Sequence, residues 1–92
     1  MKEVNNTYKS QKLIKIFLKY DEANNTIHSI AITGDFFIHP EERIDKLEAD
    51  LAGARLDRDS IINVIEKSLS GSEIFGFNSQ SMADAILGCL NK

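Results

Sequence analysis

Two runs of alternating apolar residues, separated by a polar turn, constrain the fold more than any other feature of this sequence. The first run, LIKIFLKY, spans residues 13–20. Its two-residue period places Lys15 and Lys19 on one face together with Leu13 and Phe17. The opposite face receives the apolar residues Ile14, Ile16, Leu18 and Tyr20. The pattern therefore predicts a β-strand with one face buried.

The second run, TIHSIAIT, spans residues 26–33 and places His28, Ile30 and Ile32 on one face. Between the runs, Asn24 and Asn25 tolerate the backbone angles of a tight turn. We therefore expect an antiparallel hairpin over residues 11–34. A two-stranded hairpin is marginally stable in water, so its apolar face needs a cover.

Three segments with helical periodicity can supply that cover: about 40–52, about 58–70 and about 79–90. Pro40 fits the first position of the first helix, and Gly53 fits the position after its end. Asp57 or Asp59 is expected to cap the second helix, and Asn78 or Ser79 to begin the third. The sequence thus predicts an α+β fold in which three helices cover one face of a small antiparallel sheet. Residues 1–10 are polar and are expected to form a loose N-terminal arm, and residues 11–92 a single domain.

Composition excludes several classes of protein. The chain has 92 residues and a formal net charge of −3 with acids and bases interspersed, which argues against binding to nucleic acid through its phosphates. Its unbroken apolar runs are far too short to span a membrane. The N-terminal sequence lacks the apolar segment of a signal peptide, so we expect a cytoplasmic location.

The sequence offers little catalytic or metal-binding chemistry. The chain contains two histidines and one cysteine, Cys89, and no spacing typical of a structural zinc site or a catalytic triad. Cys89 lies near the C-terminal end of the third predicted helix, on its apolar stripe, where the helix dipole disfavours a thiolate. We therefore predict no catalytic and no metal-binding residues, and place Cys89 in the core.

Four phenylalanines lie outside the periodic segments: Phe36, Phe37, Phe75 and Phe77. Consecutive residues of an extended chain point in opposite directions, so only one member of the first doublet can face a given core layer. These side chains can anchor loops to the core, or they can form an apolar surface for a partner. The sequence leaves both roles open.

The stretch from Leu13 to Gly53 resembles the C-terminal accessory domain of lipoate–protein ligases. The matching pattern is a strand rich in lysine and apolar residues, a hairpin, an isoleucine-rich strand that enters Gly34-Asp35-Phe36-Phe37, then Pro-Glu-Glu, a helix and Leu-x-Gly. A weaker match follows in the second helix, in Phe75-Gly76 and in the closing helix. In this family a large domain binds lipoate and ATP, forms lipoyl-adenylate and transfers the lipoyl group to a lysine of a lipoyl domain.

The resemblance implies a separately encoded, non-catalytic accessory subunit. Its expected partner is the catalytic large subunit, in a heterodimer that acts on lipoyl-domain proteins, with no nucleic acid and no membrane involved. The chain alone is expected to bind no cofactor, and lipoate and ATP with Mg²⁺ would be bound through the large subunit. The hypothetical partner interface comprises Gly34, Asp35, Phe36, Phe37, His39, Phe75 and Phe77. In this hypothesis Gly34 permits a sharp exit from the strand, and the Asp35 side chain accepts hydrogen bonds from the following loop.

Two alternatives belong to other classes of protein. A helix-on-sheet architecture also resembles iron–sulfur scaffold and sulfur-acceptor proteins. One cysteine is too few for a cluster, whereas a persulfide acceptor needs only one, and Cys89 would then carry the sulfur. The chain could also be a partner-binding module without a role in lipoylation.

Overall fold

A computed structural model describes residues 1–91 of the chain. Its elements, in chain order, are β1 (Lys2–Lys9), β2 (Leu13–Asp21), β3 (Thr26–Gly34), β4 (Phe37–His39), α1 (Glu42–Leu51), α2 (Arg58–Ser68), β5 (Glu73–Phe75), α3 (Ser79–Leu87) and a 3₁₀ turn (Gly88–Asn91). Strands β1, β2 and β3 form an antiparallel sheet in that order, and β4 pairs with β5 in a second, two-stranded sheet. No helix among these residues is long and apolar enough to cross a membrane.

The predicted hairpin is confirmed as strands β2 and β3. The register pairs Ile16 with Ile32 and Leu18 with Ile30, which brings the apolar residues of both strands to the same face. That face is buried, whereas Lys15 and Phe17 on the other face are exposed. The two-residue period of the sequence therefore describes this sheet correctly.

The predicted loose arm over residues 1–10 is wrong, because Lys2–Lys9 form β1 and pair with β2 along their whole length. Val4 and Tyr8 pack against the core. Between them the buried Asn6 donates a hydrogen bond from Nδ2 to the carbonyl oxygen of Ala85, 3.0 Å away. A polar residue is stable at this inward position because a distant carbonyl satisfies its side chain.

One irregularity changes the predicted face of the second strand. The register between β2 and β3 shifts at Lys19/Tyr20, so that Tyr20 pairs with Ile27 instead of His28. Ile27 is buried, while His28 is exposed. The prediction that His28 shares a face with Ile30 is therefore wrong, because the bulge inserts one extra residue and reverses the alternation at that point.

The helices cover one face of the large sheet, as predicted for an α+β fold. Helix α1 packs against β3, α3 packs against β1 and β2, and α2 packs against the two other helices. The core includes the sheet residues Ile14 and Ile16 and the helix residues Leu47, Ile61 and Met82, all with no measurable exposure. The burial of these large side chains is the main source of stability in a domain of this size.

Two of the predicted cap residues, Asp57 and Asn78, are confirmed, while the start of α1 and the end of α3 differ from the predictions. Asp57 caps α2 by accepting a hydrogen bond from the backbone N–H of Ser60 at 2.9 Å. Asn78 caps α3 in a reciprocal capping box with Ser81. Pro40 lies before α1, which begins two residues later than expected, and α3 ends at Leu87, after which the chain forms the 3₁₀ turn.

The edge of the large sheet at β3 is occupied by the chain itself. The backbone N–H of Ile32 donates to the Glu48 carboxylate of α1 at 2.7 Å. At the other end of the strand, the Ile27 N–H donates to the carbonyl of Ala54 at 2.9 Å, and the Ile27 carbonyl accepts from Gly53 at 2.7 Å. The opposite edge, at β1, receives no backbone hydrogen bond from an element other than β2 within residues 1–91.

Candidate partner interface

Gly34 marks the point where the chain leaves the large sheet. It is the last residue of β3, pairs with Ile14 and has a φ angle of +151°. A Cβ atom at this position would overlap the carbonyl oxygen of Leu13 and lie 3.1 Å from the Cα of Ile14. Glycine is therefore required here both by the backbone angle and by the close approach of β2.

Asp35 does not have the predicted role. Its backbone N–H donates to the carbonyl of Leu13 at 3.0 Å, which continues the pairing with β2 for one residue. Its side chain is exposed, and its carboxylate has no hydrogen bond or ion pair with the described part of the chain. The expectation that this carboxylate accepts hydrogen bonds from the following loop is wrong, because only Phe36 lies between Asp35 and the start of β4.

The two adjacent phenylalanines point in opposite directions, as expected for an extended chain. Phe36 is half-buried and packs edge-to-face on Phe77, with ring centroids 5.1 Å apart and an interplanar angle of 86°. Phe77 itself is buried. This pair anchors the short sheet to the core and supports the surface from below, so neither ring presents a face for a partner.

Phe37 and Phe75 form an exposed aromatic pair. They lie directly opposite each other in the β4–β5 sheet, and their ring centroids are 6.1 Å apart. Their exposed fractions are 52% and 58%, in contrast to the buried Ile38 between Phe37 and His39. Exposed large apolar side chains that adjoin one another are typical of contact surfaces.

Two polar residues complete this outward face. His39 pairs with Glu73 across the β4–β5 sheet, and both are exposed on the same side as Phe37 and Phe75. We call these four residues the aromatic patch: Phe37, His39, Glu73 and Phe75. The mixture of two aromatic rings with a polar border resembles the composition of protein–protein interfaces.

Gly76 joins the aromatic patch to the turn between β1 and β2. The backbone N–H of Lys12 donates to the Gly76 carbonyl at 3.1 Å. Gly76 has a φ angle of +111°, and a Cβ atom there would lie 2.8 Å from Cγ of Lys12 and 3.0 Å from Cβ of Phe36. These contacts place Lys12, whose side chain is exposed, against Gly76 and next to Phe36.

The carboxylates with a lowered pKa lie away from the aromatic patch. The side-chain hydrogen bond from Asn24 lowers the pKa of Asp21, and that from Lys46 lowers the pKa of Asp50. The hydrogen bond from the backbone of Ser60 lowers the pKa of Asp57. Each lowered pKa is thus explained by a hydrogen bond that stabilises the fold, and none of these carboxylates indicates a functional site.

The structure thus separates the seven predicted interface residues. Phe37, His39 and Phe75 come together on the exposed face, Gly34 and Asp35 form the bend that precedes them, and Phe36 and Phe77 lie beneath. Sequence reasoning missed Glu73 and Lys12. The three-residue alternation in Glu73-Ile74-Phe75 was too short to indicate a strand, and the proximity of Lys12 depends on tertiary contacts.

Cys89 is fully buried after α3, where its Sγ lies 3.8 Å from the carbonyl oxygen of Ala85. Its predicted place in the core is confirmed. Within residues 1–91, no group of three or more His, Cys, Asp or Glu side chains is arranged to hold a metal ion.

Comparison with known proteins gives a family match and structural matches. The family model described as "Bacterial lipoate protein ligase C-terminus" matches residues 6–90. The chain is also similar to one from a structural analysis of an archaeal lipoylation system, a bi-partite lipoate protein ligase and its E2 lipoyl domain from Thermoplasma acidophilum. That match has 29% identity and a TM-score of 0.81, and covers 92% of this chain and 94% of the other. No curated protein matches the chain.

Proposed function

Since the chain belongs to the family of bacterial lipoate protein ligase C-termini, we propose that it is the non-catalytic accessory subunit of a two-component lipoate–protein ligase. With a catalytic large subunit it supports the ATP-dependent activation of lipoate to lipoyl-adenylate. That step precedes transfer of the lipoyl group to a lysine of a lipoyl domain. The family match over residues 6–90 is the observation that carries this proposal.

The match to the archaeal system supports a separate subunit. The alignment covers 92% of this chain and 94% of the other, so the two chains have nearly the same length. That system contains a ligase described as bi-partite and a lipoyl domain. The family model describes the C-terminal part of a ligase. The matching archaeal chain is therefore better explained as the small part of that ligase than as the lipoyl domain.

The aromatic patch supports a role in binding the catalytic subunit. Two phenylalanine rings that are more than half exposed offer apolar area to a partner, and burial of such area contributes favourably to association. Phe36 and Phe77 hold the patch from below, so little order has to be gained when a partner binds. In this proposal Gly34 sets the direction in which the patch projects from the sheet.

The mechanism we propose is completion of an active site on the large subunit. Adenylation requires the lipoate carboxylate and the α-phosphate of ATP to be held in line, and such positioning can account for several kcal/mol of a barrier. A partner that orders a loop over the nucleotide also excludes water from a hydrolysable mixed anhydride. Lipoate, ATP and Mg²⁺ would be held by the large subunit, while this chain contributes a rigid surface.

The proposal is tested by pyrophosphate release from lipoate and ATP, measured with the cognate large subunit in the presence and absence of this chain. We expect release to depend on the chain. An equal rate without it, or turnover by this chain alone, would contradict the proposal.

A variant series locates the contact. In Phe37→Ser/Phe75→Ser, we expect the concentration for half-maximal stimulation to rise about tenfold or more, because two apolar contacts are lost. The exposed double variant Asn63→Ser/Lys67→Ser on α2 serves as the matched control and should behave as wild type. Circular dichroism checks that each variant is folded. Wild-type stimulation by the folded phenylalanine variant would exclude the aromatic patch as the contact.

The burial of Cys89 disfavours the sulfur-acceptor alternative, because an acceptor thiol has to reach a donor and become a thiolate. Titration of the folded chain with a thiol reagent distinguishes the two proposals. We expect no reaction until the chain is unfolded, and rapid stoichiometric modification of the native chain would favour the alternative.

A further inference from the structure

The outer face of the β1–β2–β3 sheet is left uncovered by the described residues. Helices α1 and α3 pack on the other face, and α2 packs on those two helices. At its centre, Phe17 of β2 lies between Asn5 of β1 and Ala31 of β3, and 53% of its surface is exposed. We call this surface the Phe17 face; its other members include Glu3, Lys15, Lys19 and Ser29.

The small neighbours of Phe17 create a depression beside its ring. Asn5 and Ala31 are shorter than the phenylalanine that they flank, and the depression of about 580 Å³ extends along the row that contains Glu3, Lys19 and Ser29. A protruding ring next to a hollow is complementary in shape to a partner that inserts an apolar side chain beside it.

Lysines outnumber acids on the Phe17 face, whose outward rows contain Lys9, Lys15 and Lys19 against Glu3. Lys15 and Lys19 flank Phe17 on the outer face, and neither has an ion pair within residues 1–91. Residues 1–35 contain five lysines and four acids, a formal charge of +1, whereas residues 36–92 contain six basic and ten acidic residues, a charge of −4. The lysines of the Phe17 face therefore favour an acidic partner, whereas the net negative charge of residues 36–92 disfavours one.

The aromatic patch is too small to hold a protein partner by itself. From standard strand spacings, the two three-residue strands of β4–β5 cover roughly 100 Å², and the three strands of the large sheet cover roughly 400 Å². A stable interface buries about 800 Å² on each partner. A subunit that binds at the aromatic patch therefore needs further area. The large sheet adjoins the short one, because the Lys12 N–H, just before β2, donates to the carbonyl of Gly76, just after β5.

We propose that the Phe17 face is the main docking surface for the catalytic subunit, and that it receives an apolar side chain surrounded by carboxylates. Phe17 is the apolar anchor, while Lys15 and Lys19 pair with the acidic rim of the partner. This inference rests on the proposed function and identifies the surface and the chemistry through which the two subunits associate.

The test is the dissociation constant of the two full-length subunits, measured by calorimetry at low and at higher salt. We expect Phe17→Ala to raise the dissociation constant about tenfold or more. Lys15→Glu/Lys19→Glu should raise it most at low salt and reverse its salt dependence, because the introduced glutamates repel the partner's carboxylates and salt screens that repulsion. Lys67→Glu, on the exposed side of α2, is the control for a charge reversal outside the sheet face and should leave binding unchanged. The single variant Lys19→Glu changes the net charge by the same amount and should weaken binding.

Each result has one meaning. Phe17 is exposed, so its variant should unfold at the same denaturant concentration as wild type, and a binding defect then reports the contact itself. Wild-type affinity of both sheet variants overturns the inference, even where the wild-type chain stimulates pyrophosphate release. Unchanged subunit affinity with a raised KM for the lipoyl acceptor would also overturn it, since the face would then belong to the acceptor. Absence of binding by the wild-type chain would contradict the proposed function itself.

Discussion

Replacement of Gly34 by alanine should be among the most destabilising single-methyl additions in this chain. The φ angle of +151° is unfavourable for any residue with a Cβ atom and costs about 1–3 kcal/mol. The added methyl would overlap the Leu13 carbonyl and come within 3.1 Å of the Cα of Ile14, which are backbone atoms that cannot rotate away. Forced overpacking of this kind costs a further 1–3 kcal/mol, roughly.

The expected loss of about 2–6 kcal/mol is large compared with the total stability of a domain of this length. At roughly 0.05–0.15 kcal/mol per residue, 92 residues give about 5–14 kcal/mol. Urea denaturation followed by circular dichroism measures the difference, with the slope against urea used to check that the compactness of both states is unchanged.

Gly53→Ala provides the matched control. Gly53 also has a positive φ angle, +88°, but no atom lies within 4 Å of its hypothetical Cβ. The free energy of unfolding of Gly53→Ala should therefore fall only by the cost of the backbone conformation, about 1–2 kcal/mol. If the two variants lose equal stability, the close approach of β2 to Gly34 contributes nothing and the argument from packing is refuted.

Three further predictions concern stability. Asn78→Ala should lose about 1 kcal/mol of unfolding free energy in urea denaturation, because α3 loses its capping box; an unchanged value would mean that the cap is dispensable. Asn6→Ala should cost about 1 kcal/mol in the same assay, because the Ala85 carbonyl loses its amide donor and keeps the weak donor of the Cys89 thiol, and a neutral effect would show that water replaces the amide. Since the pKa values of Asp50 and Asp57 are lowered on folding, their contributions are present above the unfolded pKa of about 3.9 and are lost as pH falls through the folded pKa. Asp57→Asn keeps a capping side chain but should flatten the fall of the melting temperature below about pH 4, and an identical pH profile would contradict this assignment.

The strongly periodic parts of the chain could be predicted from sequence alone. Local apolar spacing predicted strands β2 and β3, the three helices and the α+β class. Residue type indicated Asp57 and Asn78 among the candidate cap residues. The resemblance to the lipoate–protein ligase accessory domain was confirmed by the family match over residues 6–90.

Strand β1 could not be predicted because its stability depends on distant residues. Asn6 occupies an inward position where an apolar residue is expected, and the acceptor that satisfies it, Ala85, is 79 residues away in sequence. The bulge that exposes His28 likewise depends on the pairing of two strands. Local sequence patterns do not predict contacts between residues that are distant in sequence.

The candidate interface was predictable in part. Adjacent phenylalanines indicated that one ring would face inward, but the choice between Phe36 and Phe37 depends on the position of Phe77. The pairing of Phe37 with Phe75 joins segments separated by two helices, and three-residue strands are too short to give a periodic signal.

The occupied edge at β3 has a consequence for self-association. Sheets of many copies can join edge to edge without limit only if every copy has two free edge strands. Here Glu48 and the segment around Ala54 obstruct the β3 edge. Pairing between the β1 edges of two copies would therefore give a dimer and could not continue into a fibre. A single glutamate side chain on a neighbouring helix thus helps to keep this small domain from polymerising.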